Sequence, residues 1–221
     1  MRVFLCGGGS GIQTADAYER FSSLIEDKSK PILYIPLAMY DCNMDDCYTW
    51  IKEELKSYNI ENIEMVRAPK DLIDKSLEDY SAIFIGGGNT YKLLFELKLT
   101  EFYDKLKEYI NNNGIVFGGS AGAIIMGKDI KSCNLDDGNE VGLVDTKGID
   151  VLNGYSVSCH YTNRGEEQNE KNKSYLTELS NEMKVIAIPE EDTMFISDSG
   201  IEVYGDKPYY IFDNGNILAI K

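Results

Sequence analysis

The stretch Gly114 to Met126, GIVFGGSAGAIIM, reads as a buried strand, Ile115-Val116-Phe117, that turns sharply through Gly118-Gly119-Ser120-Ala121-Gly122 into an apolar helix. This is the G-x-S-x-G pattern of a nucleophile elbow. A side chain at the apex of so tight a turn clears the sheet only if its neighbours are small, and Gly118, Ala121 and Gly122 meet that need. The N-terminal N–H groups of the following helix, and its positive dipole end, face the place where a tetrahedral oxyanion would form. Ser120 is therefore placed to attack a carbonyl. The same kind of turn can also serve close helix–sheet packing or anion binding alone, so the rest of the chain has to supply a base and a second oxyanion donor.

Both are present. Upstream, the strand Ser81 to Ile85 ends in Gly86-Gly87-Gly88-Asn89-Thr90 and runs into a helical segment, Tyr91 to Leu97. Glycines at the carboxyl end of a strand let bare N–H groups approach a ligand closely. Thr90 reads as the N-cap of the following helix. Downstream, the alternating run Val151 to Tyr161 carries His160, the single histidine of the chain, at its end. A lone histidine is more often structural, but with a serine in need of a base and no other imidazole to hand, His160 is the leading candidate.

The remaining pattern is a succession of strands and helices. Arg2 to Cys6 is followed by Gly7-Gly8-Gly9-Ser10-Gly11 and an amphipathic run, Ala15 to Asp27; Pro31 to Leu37 and Ile63 to Val66 flank a helical segment, Asp45 to Tyr58. Strands separated by helices imply right-handed crossovers and a mainly parallel sheet, with the loops after its strands gathered on one edge. The first glycine turn fits neither G-x-G-x-x-G nor a P-loop, so it reads as an edge loop rather than a nucleotide site. Lys128 to Thr146 is polar and reads as a loop or short hairpin, Glu167 to Met183 as a charged helix and Val185 to Pro189 as a buried strand. Ser199-Gly200 and Asn214-Gly215 mark turns of an antiparallel tail. The fold class expected is α/β, doubly wound, with antiparallel hairpin additions at the C-terminus.

Composition sets outer bounds. With 221 residues, 43% of them hydrophobic, the chain suits one domain spanning 1–221. The formal charge of −15, from 37 acidic against 22 basic residues, comes without a basic block. That disfavours nucleic acid and anionic membrane as partners. No signal-like or membrane-spanning apolar segment is evident, and the expected location is cytoplasmic. Five cysteines (Cys6, Cys42, Cys47, Cys133, Cys159) without a C-x-x-C pair read as reduced thiols, not a disulfide frame or zinc site.

GGGNT at 86–90, GGSAGA at 118–123, His160 at a strand end and IAIPEEDT at 186–193 occur in an order that resembles the family of aspartyl dipeptidase (peptidase E) and cyanophycinase. The resemblance implies a fold similar to class I glutamine amidotransferases and a serine peptidase acting on aspartyl bonds. It implies Ser120 as nucleophile, His160 as base, and the amides of Gly88 and Ala121 as the oxyanion hole. The third triad member would be Asp136 or Asp137 on the loop after the nucleophile helix, with Glu190 or Glu191 as rivals. Gly87, Asn89, Arg164 and Glu191 would border the substrate, with Arg164 the candidate for an acidic side chain. No metal or organic cofactor is needed. The partner expected is a small peptide, and a homodimer is compatible with the reading. A glutamine amidotransferase proper is disfavoured because position 120 is serine rather than cysteine. The alternative is a non-catalytic α/β module binding a small anion at the glycine loops.

Overall fold

In the computed structural model, which describes residues 1–40 and 43–221, period-two alternation divides the apolar strand residues between two faces. The strands are β1 (Arg2–Cys6), β2 (Ile32–Ile35), β3 (Ile63–Met65), β4 (Ala82–Ile85) and β5 (Ile115–Gly119). Val3, Leu5, Leu33, Ile35, Ile83, Ile85 and Val116 enter one core cluster, while Phe4, Cys6, Ile32, Tyr34, Ala82, Phe84 and Phe117 enter another. Burial on both faces is why these strands read as continuous apolar runs.

Each face is covered by its own helices. The helices α1 (Ala15–Leu24) and α2 (Met44–Lys56) place Tyr18, Phe21, Ile51 and Leu55 on the second cluster. On the first, α3 (Thr90–Leu99) and α4 (Phe102–Asn111) place Leu94, Leu97, Phe102, Leu106 and Ile110. Along the α1–α2 face the phenylalanines form a column: Phe195 and Phe4 stack at 4.4 Å, Phe4 and Phe117 at 5.6 Å, Phe117 and Phe84 at 4.8 Å. Offset ring stacking of this kind adds roughly 0.5–1.5 kcal/mol per pair beyond area burial.

The seven-stranded sheet has the order β3-β2-β4-β5-β1-β8-β9. Strands β1 to β5 are parallel; β8 (Thr193–Ser197) runs antiparallel to β1, and β9 (Gly200–Tyr204) antiparallel to β8. The doubly wound, mainly parallel α/β architecture expected from the sequence is the one observed. A second, four-stranded sheet has the order β11-β10-β7-β6, built from β6 (Tyr155–Ser158), β7 (Lys184–Ala187), β10 (Tyr209–Asp213) and β11 (Asn216–Ile220). Its residues Val157 and Ile186 share the first core cluster with the main sheet, while Val185, Ala187 and Phe212 pack with Leu176 and Leu179 of α6 (Glu166–Leu179). The strand leading to His160, which itself lies two residues past the end of β6, therefore belongs outside the main sheet, which alternation could not reveal because it marks faces and not partners.

One local expectation is corrected. Asn89, not Thr90, caps α3, its Oδ1 accepting from Lys92 N at 2.8 Å. Of the loop or short hairpin expected after the elbow, the loop is observed, with a 3₁₀ turn at Ile130–Cys133 and a bridge between Asp129 and Lys147. Cys6, Cys47, Cys133 and Cys159 form no disulfide among the described residues; Cys42 lies outside them. No helix is long and apolar enough to cross a membrane, among the described residues.

Candidate active site

Register brings the carboxyl ends of three central strands together: Cys6 pairs with Gly119, and Ile85 with Gly118. The loops after β1, β4 and β5 thus meet at one edge. At the end of β5 the chain enters α5 (Ala121–Ile124) through Ser120, whose φ of 50° and ψ of −110° lie outside the common regions for an L-residue. Such a conformation costs on the order of 1–3 kcal/mol and persists only where its surroundings over-determine it. Here Ser120 N donates to Cys6 O at 3.0 Å, while Ser120 O accepts from Ala123 N at 2.8 Å and Ile124 N at 2.9 Å. The two elbow glycines are sterically required. A Cβ on Gly118 would lie 2.4 Å from Gly122 O, and one on Gly122 2.4 Å from Ile85 O.

The imidazole reaches this serine from the second sheet. Ser120 Oγ lies 2.8 Å from His160 Nε2, and His160 Nδ1 lies 2.6 Å from Glu190 Oε1. A neutral imidazole that donates Nδ1–H to a carboxylate must present an unprotonated Nε2, which is the acceptor the hydroxyl needs. His160 has a left-handed φ of 56° and is held by its own N–H, which donates to Gly7 O at 2.8 Å. The first glycine loop forms the floor beneath the ring. Gly8, at φ +122°, lies so close that a Cβ there would sit 2.1 Å from His160 Cε1. That loop is bound in turn to the segment carrying Glu190, with Gly9 N donating to Glu190 O and Gly7 N to Asp192 O, both at 3.0 Å.

The aspartates named as candidates for the acid do other work. Asp137 Oδ2 accepts from Thr90 N at 2.9 Å and Thr90 Oγ1 at 2.6 Å, so its carboxylate secures the start of α3. Asp136 Oδ1 stands 3.9 Å from Arg164 Nε. Burial pushes the Asp136 carboxyl above its usual range, against the opposing pull of Arg164 and His160. Neither aspartate hydrogen-bonds the imidazole, among the described residues; Glu190 occupies that place, because the β7–β8 turn delivers its carboxylate to Nδ1 while the loop after α5 meets the His160 loop at Arg164. Glu191 instead accepts from Asn163 Nδ2 at 3.1 Å.

The 86–89 loop lies directly on Ser120. A Cβ on Gly87 would be 3.1 Å from Ser120 Cβ and 3.6 Å from Oγ. Gly88, at φ +131°, is pressed on Ala38 so closely that a Cβ would lie 2.6 Å from its carbonyl, and Asn89 N donates to Ala38 O at 2.8 Å. The Gly88 amide donates to no other group, among the described residues. Ala121, as the first residue of α5, has no carbonyl one turn back to accept its N–H. The Asn89 side chain is fully engaged, capping α3 and donating to Gly138 O at 2.8 Å.

Two clefts reach the loops of the site, at Gly87 and at Glu191. One, of about 530 Å³, runs from Gly87 along Tyr34, Met39 and Trp50. The other, of about 500 Å³, runs from Glu191 along Gln13, Asp16, Asp206 and Lys207. Beneath the site, burial pushes the Cys6 and Cys159 thiols up, Cys159 Sγ donating toward Ser120 O at 3.6 Å, so neither is a competing thiolate nucleophile. Sequence reasoning missed the floor formed by Gly8 and the contacts of Asn163. No local pattern announces either, since both gain meaning only where loops from distant strands touch.

Comparison with known proteins gives a consistent result. The model of peptidase family S51 matches residues 3–204. The chain is 25% identical over 207 residues to peptidase E of Nostoc sp., covering 90% of this chain and 82% of that protein. It is 26% identical over 193 residues to peptidase E of Salmonella arizonae, covering 83% and 80%. Among solved structures, a candidate peptidase E from Listeria monocytogenes EGD-e superimposes with a TM-score of 0.71 at 21% identity, covering 93% of this chain and 98% of that one. A peptidase from an acI-B1 actinobacterium also gives 0.71, at 19% identity, covering 100% and 93%.

Proposed function

The chain belongs to peptidase family S51 and is a serine-type peptidase, and from that premise we propose that it hydrolyses a small peptide, an Asp-X dipeptide or a related aspartyl bond, through Ser120, His160 and Glu190. Family membership also decides between the two readings of the glycine loops, in favour of hydrolysis over anion binding alone. The observation that carries the proposal is the unbroken relay of two short hydrogen bonds, 2.8 Å from Ser120 to His160 and 2.6 Å from His160 to Glu190.

In this mechanism Ser120 Oγ attacks the scissile carbonyl as its proton passes to His160 Nε2. Glu190 fixes the tautomer and stabilises the imidazolium that forms. The amides of Gly88 and Ala121 receive the oxyanion, in a site where preformed dipoles need no reorganisation. The imidazolium then protonates the leaving amine, and water, activated by the same base, releases the acyl group from Ser120. Arg164 receives the acidic side chain of the substrate. Its charge is partly offset by Asp136 at 3.9 Å, so it supplies discrimination more than bulk affinity.

The test compares purified protein on Asp-X, β-aspartyl and neutral dipeptides, with fluorophosphonate labelling of Ser120 in parallel. Labelling together with preferential Asp-X turnover supports the proposal. Arg164→Ala should raise KM for Asp-X more than for neutral dipeptides. Equal effects on both would remove Arg164 from substrate recognition, and no labelling would remove the triad.

A further inference from the structure

Glu190 is aimed by its backbone, and that backbone is held on both sides. Its carbonyl accepts from Gly9 N at 3.0 Å, and its N–H donates to Asn163 Oδ1 at 2.9 Å. The same Asn163 side chain donates from Nδ2 to Glu191 Oε2 at 3.1 Å. Asn163 belongs to the turn that carries the imidazole, its own N–H donating to His160 O at 3.1 Å. One short planar amide thus joins the base's loop to the acid's loop. It also gives the neighbouring carboxylate, Glu191, a donor of its own, so that only Glu190 is turned to the ring.

The chemistry selects this residue type. A backbone N–H can only donate, so the amide oxygen must face Glu190, and a carboxylate can only accept, so the amide nitrogen must face Glu191. Aspartate would lack the donor and place a third carboxylate between two others. Serine is too short to span both loops. An aliphatic side chain would leave the Glu190 N–H and the Glu191 carboxylate without these partners.

We propose that Asn163 is a positioning residue that sets Glu190 against His160 Nδ1 by tying the β7–β8 turn to the loop after β6. It rests on the triad described above and touches no reacting atom. Misplacing a catalytic group by about 1 Å can cost on the order of 10²-fold in rate, and that is the loss in kcat expected for Asn163→Ala, with KM changed by no more than a few-fold. A readout that a purely structural residue would not move is the far-downfield proton resonance of the His160–Glu190 hydrogen bond, which belongs to the single histidine and needs no assignment. It should weaken or vanish in folded Asn163→Ala. Asn163→Ser is the second variant if the alanine protein fails to fold, and Glu190→Gln is the reference. If Glu190→Gln abolishes the resonance and lowers kcat while a folded Asn163 variant leaves both intact, or raises KM alone, the positioning role is overturned and the triad stands. If Glu190→Gln also leaves both intact, the triad itself is overturned.

Discussion

The two halves of the proposed active site are built in opposite ways. The nucleophile half is local: from Gly118 to Gly122 a run of small residues forces the turn, and the contacts that hold Ser120 come largely from its own helix and the adjacent β1. The imidazole–acid half is assembled from three segments far apart in the chain. Gly7–Gly9, His160–Asn163 and Glu190–Asp192 bind one another through backbone and amide hydrogen bonds. A local device is written into neighbouring residues, whereas an assembled one depends on register and packing elsewhere. Damage to the first should therefore act through the nucleophile or the fold, and damage to the second through orientation.

The largest effect expected is at the local half. Ser120→Ala should lower hydrolysis by a factor of order a million and abolish fluorophosphonate labelling, while the melting temperature stays near that of the parent. Retention of a tenth of the activity would place the nucleophile elsewhere. In the assembled half, Glu190→Gln should lower the chemical step by roughly 10⁴-fold with a smaller change in KM. Asp136→Ala and Asp137→Ala, measured beside it, should lose far less in kcat, and a loss at Asp137 equal to that at Glu190 would reverse the assignment of the acid.

Two alanine substitutions sharpen the contrast further. At Gly8 an added methyl would sit 2.1 Å from the imidazole, and at Gly118 it would sit 2.4 Å from the Gly122 carbonyl. Gly8→Ala should therefore cost on the order of 10²-fold in kcat by displacing the ring, beyond the stability lost because Gly8 sits at φ +122°. Gly118→Ala should destabilise the fold itself, by roughly 1–3 kcal/mol. Thermal denaturation paired with steady-state kinetics separates the two, and the same pattern of loss in both variants would erase the distinction.

The smallest effect concerns pH. Burial pushes the Asp192 carboxyl, beside the acid's turn, up to about 6, although Lys207 N donates to its Oδ1 at 3.2 Å. Its Oδ2 is buried without a hydrogen-bond partner among the described residues. The folded protein therefore binds this proton more tightly than the unfolded chain does. The stability it contributes is present below the ordinary carboxylate range and is lost as pH rises from about 4 to about 6. The amount is on the order of 1–3 kcal/mol. Asp192→Asn should escape that loss, so the variant's melting temperature relative to the parent should be higher at pH 8 than at pH 4. An unchanged difference across that range would mean that folding does not shift the Asp192 pKa.

The parallel α/β core and the elbow were legible in the amino-acid sequence alone. Both are written in short-range signals: continuous apolar strands between helical runs, and small residues packed around one serine. Sequence likewise marked His160, because no other imidazole competes with it, and the glycine loop at 86–88. Which carboxylate lies against the imidazole was legible only in three dimensions, where Glu190 does. Asp136, Asp137, Glu190 and Glu191 are equivalent as carboxylates in a linear chain, and what separates them is which loop the second sheet delivers to Nδ1. Tertiary packing also moved the strand leading to His160 into that second sheet, gave Asp137 to Thr90, and made Gly8 the floor of the imidazole. Each of these depends on contacts between residues far apart in sequence, and a periodic pattern fixes which face a residue occupies but not the partner it meets there.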